Sequence, residues 1–136
     1  MHDSLFPKAY LRFIELFNQA EYWESHEVLE WPWRENRSPF YRGVIIYASA
    51  FVHGQRGNPR GVRKQLLKAK RYLKEYRPVY MGLDIERLLS HLEECLRLVT
   101  VPDPPEDDEL RRVLPFDRLE LRREWVRGDE PELHET

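Results

Sequence analysis

The sequence predicts an all-α protein, a compact bundle of about five helices followed by an irregular, partly extended C-terminal arm. Two observations lead to this fold class. Apolar residues recur every three or four positions over most of residues 1–99, which is the spacing that gives a helix one apolar face. Ser38-Pro39 and Asn58-Pro59 interrupt this pattern, and a capping side chain followed by proline is typical of a helix N-terminus.

The first two predicted helices are separated by a short corner. The apolar stripe of the first helix consists of Phe6, Tyr10, Phe13, Ile14 and Phe17. Residues 18–20 form the corner, and the second helix begins near Glu21. We expect the second helix to end or kink near Trp31, because Pro32 lacks an amide donor and its ring clashes with the preceding turn.

Three further helices complete the predicted bundle. The third runs from Ser38 to about Gly57 and is apolar on nearly every side, which is typical of a helix at the centre of a bundle. The fourth begins at Asn58 and covers its outer side with lysine and arginine. The fifth begins at Asp84, and its apolar stripe consists of Ile85, Leu88, Leu89, Leu92, Cys95, Leu96 and Val99.

The composition changes after Thr100, and we divide the chain there. Residues 1–100 are predicted to form the helical domain, and residues 101–136 a Pro-rich acidic arm. We expect its apolar part, residues 113–121, to lie extended on the bundle or on a second subunit, although residues 106–114 could instead form a short helix. The last eight residues or so are expected to be disordered.

The composition also argues against several classes of protein. The longest nearly uncharged run, Val44 to Gly54, is about half the length of a membrane span. The first residues lack the basic and apolar regions of a secretory signal. A single cysteine, Cys95, excludes an internal disulfide framework and a thiolate-rich metal cluster. These observations favour a cytoplasmic protein that does not cross a membrane.

The second helix carries an unusual group of polar side chains among tryptophans. If the helix is continuous, one face consists of Asn18, Tyr22, His26, Leu29 and Trp33, and its flank consists of Trp23, Glu27 and Glu30. His26 and Glu30 are one turn apart, so their side chains can meet. A histidine and carboxylates in a helix interface cost free energy unless each is paired. We therefore predict a buried His/Glu cluster on this helix.

Three interpretations of this cluster are open. In the first, His26 bonds to Glu30 or to a backbone carbonyl and fixes the helix packing. In the second, His26 and Glu27 or Glu30 hold a divalent metal together with a second histidine, His53. In the third, His26 and a carboxylate act as an acid/base pair without metal. Simple hairpin geometry places His53 beside the Asn18 corner instead, where it could bond to Asn18.

Charge is distributed in blocks along the chain. Residues 21–35 contain five acids and one arginine, a net charge of −4, and residues 54–77 contain nine basic residues and one acid, a net charge of +8. Such blocks usually become partner faces within one molecule or a dimer. The basic row of the fourth helix, which could contact phosphates, consists of Arg60, Lys64, Lys68 and Arg71. It lacks interleaved aromatics, so we do not expect nucleic-acid binding. The histidines expected at the surface or in the tail are His2, His91 and His134.

Three ordered blocks of residues resemble the uncharacterised domain-of-unknown-function family 309. The first contains Phe17-Asn18, the run Tyr-Trp-Glu-Ser-His-Glu-Val-Leu-Glu at residues 22–30, and Trp33-Arg34; the others span residues 40–53 and 56–67. The similarity covers about residues 5–99 and implies an all-helical bundle. Members have at times been labelled predicted metal-dependent hydrolases. The family's motif positions fall on Asn18, Glu24, His26, Glu27, Glu30, Gly43 and His53. Pro32 departs from the family's pattern.

Two predictions of function follow. The first is a non-enzymatic module that binds a partner protein or a small ligand in a groove beside His26, because the cluster lacks a complete catalytic set. The alternative is a metal-dependent hydrolase in which His26, Glu27 or Glu30, and His53 hold a metal that activates water. No cofactor is established, and the sequence does not identify a substrate. A homodimer formed through the apolar part of the arm is a further hypothesis.

Overall fold

The structure, a computed structural model, describes residues 6–125. Its helices are α1 (Lys8–Asn18), α2 (Tyr22–Asn36), α3 (Pro39–Gln55), α4 (Pro59–Leu73), α5 (Ile85–Val99) and α6 (Asp107–Val113). Two short strands, β1 (Val79–Tyr80) and β2 (Leu83–Asp84), pair antiparallel between α4 and α5. The predicted all-α bundle is confirmed, with the small hairpin as an unpredicted addition.

Helix α3 lies at the centre of the bundle. Most of its residues are buried, and α2 and α4 both pack against it. The Ser38 hydroxyl accepts a hydrogen bond from the amide of Tyr41 at 3.2 Å, and the Asn58 side chain accepts one from the amide of Gly61 at 3.2 Å. Both predicted capping residues therefore begin their helices as expected.

Helix α2 continues past Pro32. It runs for another turn, and Arg37 at its C-cap adopts a left-handed φ of 61°. Pro32 is only half-buried, so water can reach the backbone groups that proline leaves unpaired. The Trp33 ring lies between the guanidinium groups of Arg37 and Arg42, each 4.6 Å from its centroid. This stacking anchors the last turn to α3. Of the two predicted outcomes near Trp31, an end or a kink, the end is wrong, because the helix continues to Asn36.

The C-terminal arm packs over the bundle of its own chain. The alternative of a short helix after residue 106 is correct, because α6 forms there and fully buries Leu110. The amide of Asp107 donates to the carbonyl of Gly57 at 2.9 Å. Beyond α6 the arm is extended, and its Leu119 is buried. The final residues predicted to be disordered lie outside the described part of the chain.

The core is rich in aromatic rings and contains one unexpected histidine. The Phe17 ring lies within 5.0–5.7 Å of the rings of Tyr22, Tyr47 and Phe51, which joins α1, α2 and α3. On α5, the whole predicted apolar stripe is buried. His91 is buried with it at 7% exposure, so its predicted surface position is wrong. Between residues 6 and 125, no helix is long and apolar enough to cross a membrane.

Candidate functional site

One side of α2 carries a cluster of a histidine and two glutamates. Nδ1 of His26 lies 3.6 Å from Oε2 of Glu27, and Nε2 of the same ring lies 3.6 Å from Oε1 of Glu30. These separations are longer than those of good hydrogen bonds. One ligand atom from each residue lies within 4.8 Å of the others. A single helix therefore brings the three predicted candidate catalytic residues together.

The cluster lies at the edge of the bundle and is only partly buried. The side chains of His26, Glu27 and Glu30 are 19%, 54% and 26% exposed. The residues of α2 that fill the core are Tyr22, Ser25 and Leu29. Because these residues face inward, the adjacent His/Glu stripe meets solvent. The predicted His/Glu cluster is present on α2, but the prediction that it is buried is wrong.

The His26 ring is held by stacking, and one of its nitrogens is buried without a hydrogen-bond partner among residues 6–125. It stacks on the Trp23 ring with centroids 5.4 Å apart and an interplanar angle of 20°. The Arg56 guanidinium lies 5.9 Å from the same indole. Nδ1 of His26 is buried and has no hydrogen-bond partner within the described residues. A buried polar atom without a partner is costly, so this nitrogen favours an additional ligand.

Two tryptophans of α2 face solvent beside the cluster. Trp23 is 49% exposed and Trp31 is 66% exposed. At 100° per residue, Glu27 and Glu30 lie on the same side of the helix as both indoles. We call Trp23, His26, Glu27, Glu30 and Trp31 the outer α2 face. Large exposed aromatic groups rimmed by polar side chains are typical of interaction surfaces.

The carboxylates of α2 have few cationic partners. Glu30 pairs with Arg34 of the same helix at 2.9 Å. Glu24, another motif position, is exposed and forms no ion pair within residues 6–125. The basic helix α4 packs against α3. Among the described residues, no ion pair joins the acidic block at residues 21–35 to the basic block at residues 54–77.

The register of α3 places His53 away from the cluster. The Phe51 ring packs against Tyr22 with centroids 5.3 Å apart, and the Gln55 side chain donates to the carbonyl of Ala20 at 2.7 Å. His53 lies between these two contacts, level with the corner that joins α1 to α2. It does not contribute to the group of ligand atoms on α2.

His53 makes neither of the two contacts that the sequence suggested, a metal shared with His26 or a bond to Asn18. Its Nδ1 lies 3.3 Å from the Asn58 side-chain amide, whereas Asn18 bonds elsewhere. Burial lowers the pKa of His53 below its usual 6.5, and the positive charges of Arg56 and Lys64 lower it further. This histidine lies in a positive field at the turn between α3 and α4.

Three other predicted site residues have packing roles. The Asn18 amide donates to the carbonyl of Leu119 at 2.8 Å, and its side-chain oxygen accepts from the amide of Leu119 at 2.7 Å. Gly43 permits the close approach of α3 and α4, because a Cβ there would lie 2.7 Å from Cδ2 of Leu73. Trp33 is stacked between two arginines. These residues hold the arm and the helices in place.

A buried polar group that the sequence analysis missed lies between α3, α5 and the arm. Nε2 of His91 donates to the carbonyl of Pro115 at 3.0 Å, so Nδ1 accepts from the Tyr47 hydroxyl at 2.9 Å. Sγ of Cys95 lies 3.8 Å from Nε2. Burial raises the pKa of Cys95 to about 12 and that of Tyr47 well above 10. The position of His91 one turn before buried Cys95 was the available signal.

The surface around the cluster is open. Four cavities formed by residues 6–125 lie elsewhere, and none of these four is lined by His26, Glu27 or Glu30. An enzyme site normally encloses most of its substrate in a cleft or cavity. The outer α2 face has the geometry of a contact surface, because its aromatic and acidic groups project from one helix into solvent.

The fold and this surface define a small helical-bundle protein with an acidic, tryptophan-bearing face. Its resemblance to family 309 is confirmed: residues 10–65 match the family model described as "Domain of unknown function (DUF309)". The uncharacterized protein YpuF of Bacillus subtilis (strain 168) is 28% identical over 141 residues, which cover 93% of this chain and 79% of YpuF. An uncharacterized protein of Aquifex aeolicus (strain VF5) is 27% identical over 94 residues, covering 66% of this chain and 28% of that longer protein. The family match includes all of α2 and α3.

Proposed function

We propose that this protein is a non-enzymatic docking module whose outer α2 face binds a cationic, amphipathic segment of a partner protein. The observation that carries the proposal is the exposure of Trp23 and Trp31, at 49% and 66%, beside carboxylates that no lysine or arginine of another described helix neutralises. Tryptophan supplies much of the binding free energy at protein interfaces.

The chemistry of the face selects the kind of partner. Apolar side chains of the partner would cover the two indoles, and its lysines or arginines would meet Glu27 and Glu30. The net charge of −4 in residues 21–35 would also steer a cationic segment towards α2, and this steering weakens as salt is added. Since α2 packs against α1 and α3, its outer side has room for such a segment.

The same observations disfavour other partners for this face. Nucleic acid is not part of the proposal, because the carboxylates would repel phosphates. A homodimer through the arm is not included either, since Leu119 of the arm is buried against its own chain. A cytoplasmic location stays a prediction from the sequence.

Binding of two designed peptides tests the proposal. One is an amphipathic Lys/Leu helix, and the other has glutamate in place of every lysine. Binding to the full chain is measured by calorimetry and tryptophan fluorescence. We expect the cationic peptide to bind, and Trp31→Ala to weaken binding about tenfold, a loss of about 1.4 kcal/mol. Glu27→Lys should weaken it further.

The matched control is Glu86→Lys, which makes the same charge change at an exposed position of α5. If Glu27→Lys and Glu86→Lys have equal effects, the net charge of the chain explains the binding and the proposal is wrong. Equal binding of the two peptides, or no binding of either, would also contradict it.

A second candidate function is a divalent-metal site at the same cluster. Two observations favour it, the convergence of the three ligand atoms within 4.8 Å and the unpaired, buried Nδ1 of His26. Imidazole and carboxylate ligands suit zinc or manganese. His26, Glu27 and Glu30 would hold the ion and leave coordination positions open, which the metal-dependent hydrolase alternative requires.

Elemental analysis of the chain, purified without a histidine tag, tests this second candidate. A stoichiometric metal that is lost in His26→Gln but kept in His53→Gln would support it, since His26 belongs to the group of ligand atoms and His53 does not. Metal content that does not depend on His26 would contradict it. Repeating the peptide titration with a chelator separates metal binding from docking.

A further inference from the structure

A second surface with distinct chemistry is a groove beside the beginning of α4. Its volume is about 1000 Å³, at the upper end of the range for small-molecule sites. One wall consists of Arg56, Arg60, Arg63 and Lys64. The facing wall is the last residue of α5 and the segment after it, residues 99–104, continued by Glu106 and Asp107. We call this cavity the basic groove.

Within residues 6–125, no ion pair uses the cations of the basic groove, although Arg56 also lies 5.9 Å from the Trp23 ring. None of the four forms an ion pair within residues 6–125, and neither do Asp103, Glu106 or Asp107 of the facing wall. The opposite charges therefore line one cavity without meeting across it. The space between them is wide enough to hold a ligand.

This arrangement of charges is unfavourable for the helix itself. Arg60 repels Arg63 and Lys64, which lie three and four residues further along α4. Arg60 lies in the first turn, where positive charge opposes the helix dipole, and no acid occupies that turn. Sequences that break such local rules tend to do so at functional sites. A bound anion would reduce the repulsion among these cations and would also interact favourably with the N-terminus of α4.

A phosphate group matches this wall in charge and shape. Guanidinium groups bind phosphate oxygens through paired hydrogen bonds, and Arg60 and Arg63 are one turn apart on α4. Lys64 adds a further positive charge. The acidic wall limits the size of the ligand, because a second or third phosphate of a nucleic acid would meet Asp103 or Glu106. Those carboxylates can accept hydrogen bonds from hydroxyl groups of a small molecule.

We infer that the basic groove binds a small, soluble phosphomonoester. Its phosphate lies against Arg60, Arg63 and Lys64, and its hydroxyl groups face the carboxylates of the opposite wall. This site does not depend on the docking function of the outer α2 face, although Arg56 lies between the two surfaces.

Glycerol 3-phosphate is a suitable probe, with glycerol and a mixed-sequence single-stranded RNA as comparisons. Binding to the full chain is followed by calorimetry and by the amide signals of Gly57 and Gly61, which flank Arg60. The test variant is Arg60→Ala/Lys64→Ala. The matched control is Lys68→Ala/Arg71→Ala, which removes two charges from the same helix outside the groove lining.

We expect saturable binding of glycerol 3-phosphate that weakens about tenfold in Arg60→Ala/Lys64→Ala and less than about twofold in the control pair. Glycerol should not bind, and added salt should weaken the binding of the probe. Four results would overturn the inference: no saturation up to about 10 mM probe, equal losses in both double variants, equal binding of glycerol, or tighter binding of the RNA.

Discussion

The imidazole of His91 joins three parts of the molecule through two hydrogen bonds. Tyr47 of α3 donates to one nitrogen at 2.9 Å, and the other nitrogen donates to the carbonyl of Pro115 in the arm at 3.0 Å. Because a carbonyl can only accept, these two contacts define which nitrogen carries the proton. One side chain thus satisfies a buried hydroxyl and fixes the arm beside the core.

Replacement of this ring should destabilise the protein. We expect His91→Ala to lower the free energy of unfolding by about 2 kcal/mol or more, because each buried group left without a partner costs about 1–3 kcal/mol. Urea denaturation measures the change. The control is Ser90→Ala, an exposed neighbour on α5, which should change it by less than about 0.5 kcal/mol. Equal stability of both variants would contradict this role of His91.

The pKa of His53 makes stability depend on pH. Because its pKa in the folded protein is below the usual 6.5, the unfolded chain binds a proton more readily than the folded chain. The contribution of neutral His53 to the free energy of unfolding is therefore fully present above pH 6.5, and it is lost as the pH falls through the lowered pKa. His53→Gln should flatten this part of the stability curve, measured by urea denaturation at several pH values. An unchanged slope would contradict the prediction.

Residue spacing predicted the burial of some side chains but not of others. The apolar stripe of α5 was predicted in full, because each residue needed only its own helix to define its face. His91 lies on the same stripe, yet its burial depends on two partners distant in sequence, Tyr47 and Pro115. The partial exposure of Glu27 likewise depends on which side of α2 meets α3. One helix in isolation does not contain that information.

Among the elements, α2 shows which helix boundaries can be predicted from neighbouring residues and which cannot. A proline in the middle of a helix predicts a break, but the Trp33 stack and the partial exposure of Pro32 allow the helix to continue. The capping residues Ser38 and Asn58 were predicted correctly, since caps depend on contacts within one turn. The C-terminal end of α2 depends on tertiary packing, and it was not predicted correctly.

Removal of this proline should stabilise the protein. We expect Pro32→Ala to raise the free energy of unfolding by up to about 3 kcal/mol, because alanine restores an amide donor and has the higher helix propensity. The control is Glu24→Ala, an exposed substitution on the same helix. Thermal and urea unfolding measure both variants. A loss of stability in Pro32→Ala would show that the proline ring itself contributes to packing.

For the molecule as a whole, the arm is a covering element of the bundle. Its Leu110 and Leu119 are buried, Asn18 bonds to its backbone, and Arg87 forms a two-point ion pair with Asp117 at 2.7 and 3.0 Å. The sequence left open whether the arm lies on its own chain or on a second one. The choice depends on contacts across about a hundred residues of sequence, such as Asn18 with Leu119.

A chain that ends at Thr100 should expose what the arm covers. We expect it to unfold at lower urea concentration and to self-associate more strongly in sedimentation. It should also react faster with a thiol reagent at Cys95, which is fully buried when the arm is present. The control is a chain that ends at Trp125 and keeps the described arm. If the complete chain is a dimer and truncation at Thr100 yields a stable monomer, the arm instead joins two subunits.

The contact between Gly82 and Trp125 brings two distant parts of the chain to one point. The Gly82 amide donates to the Trp125 carbonyl at 2.8 Å, and a Cβ on the same glycine would lie 2.7 Å from the ring of Phe6. Phe6 and Trp125, the first and last described residues, therefore lie close together. A circular permutant of residues 6–125 that joins these two residues through a short linker should keep its native packing, which urea denaturation measures.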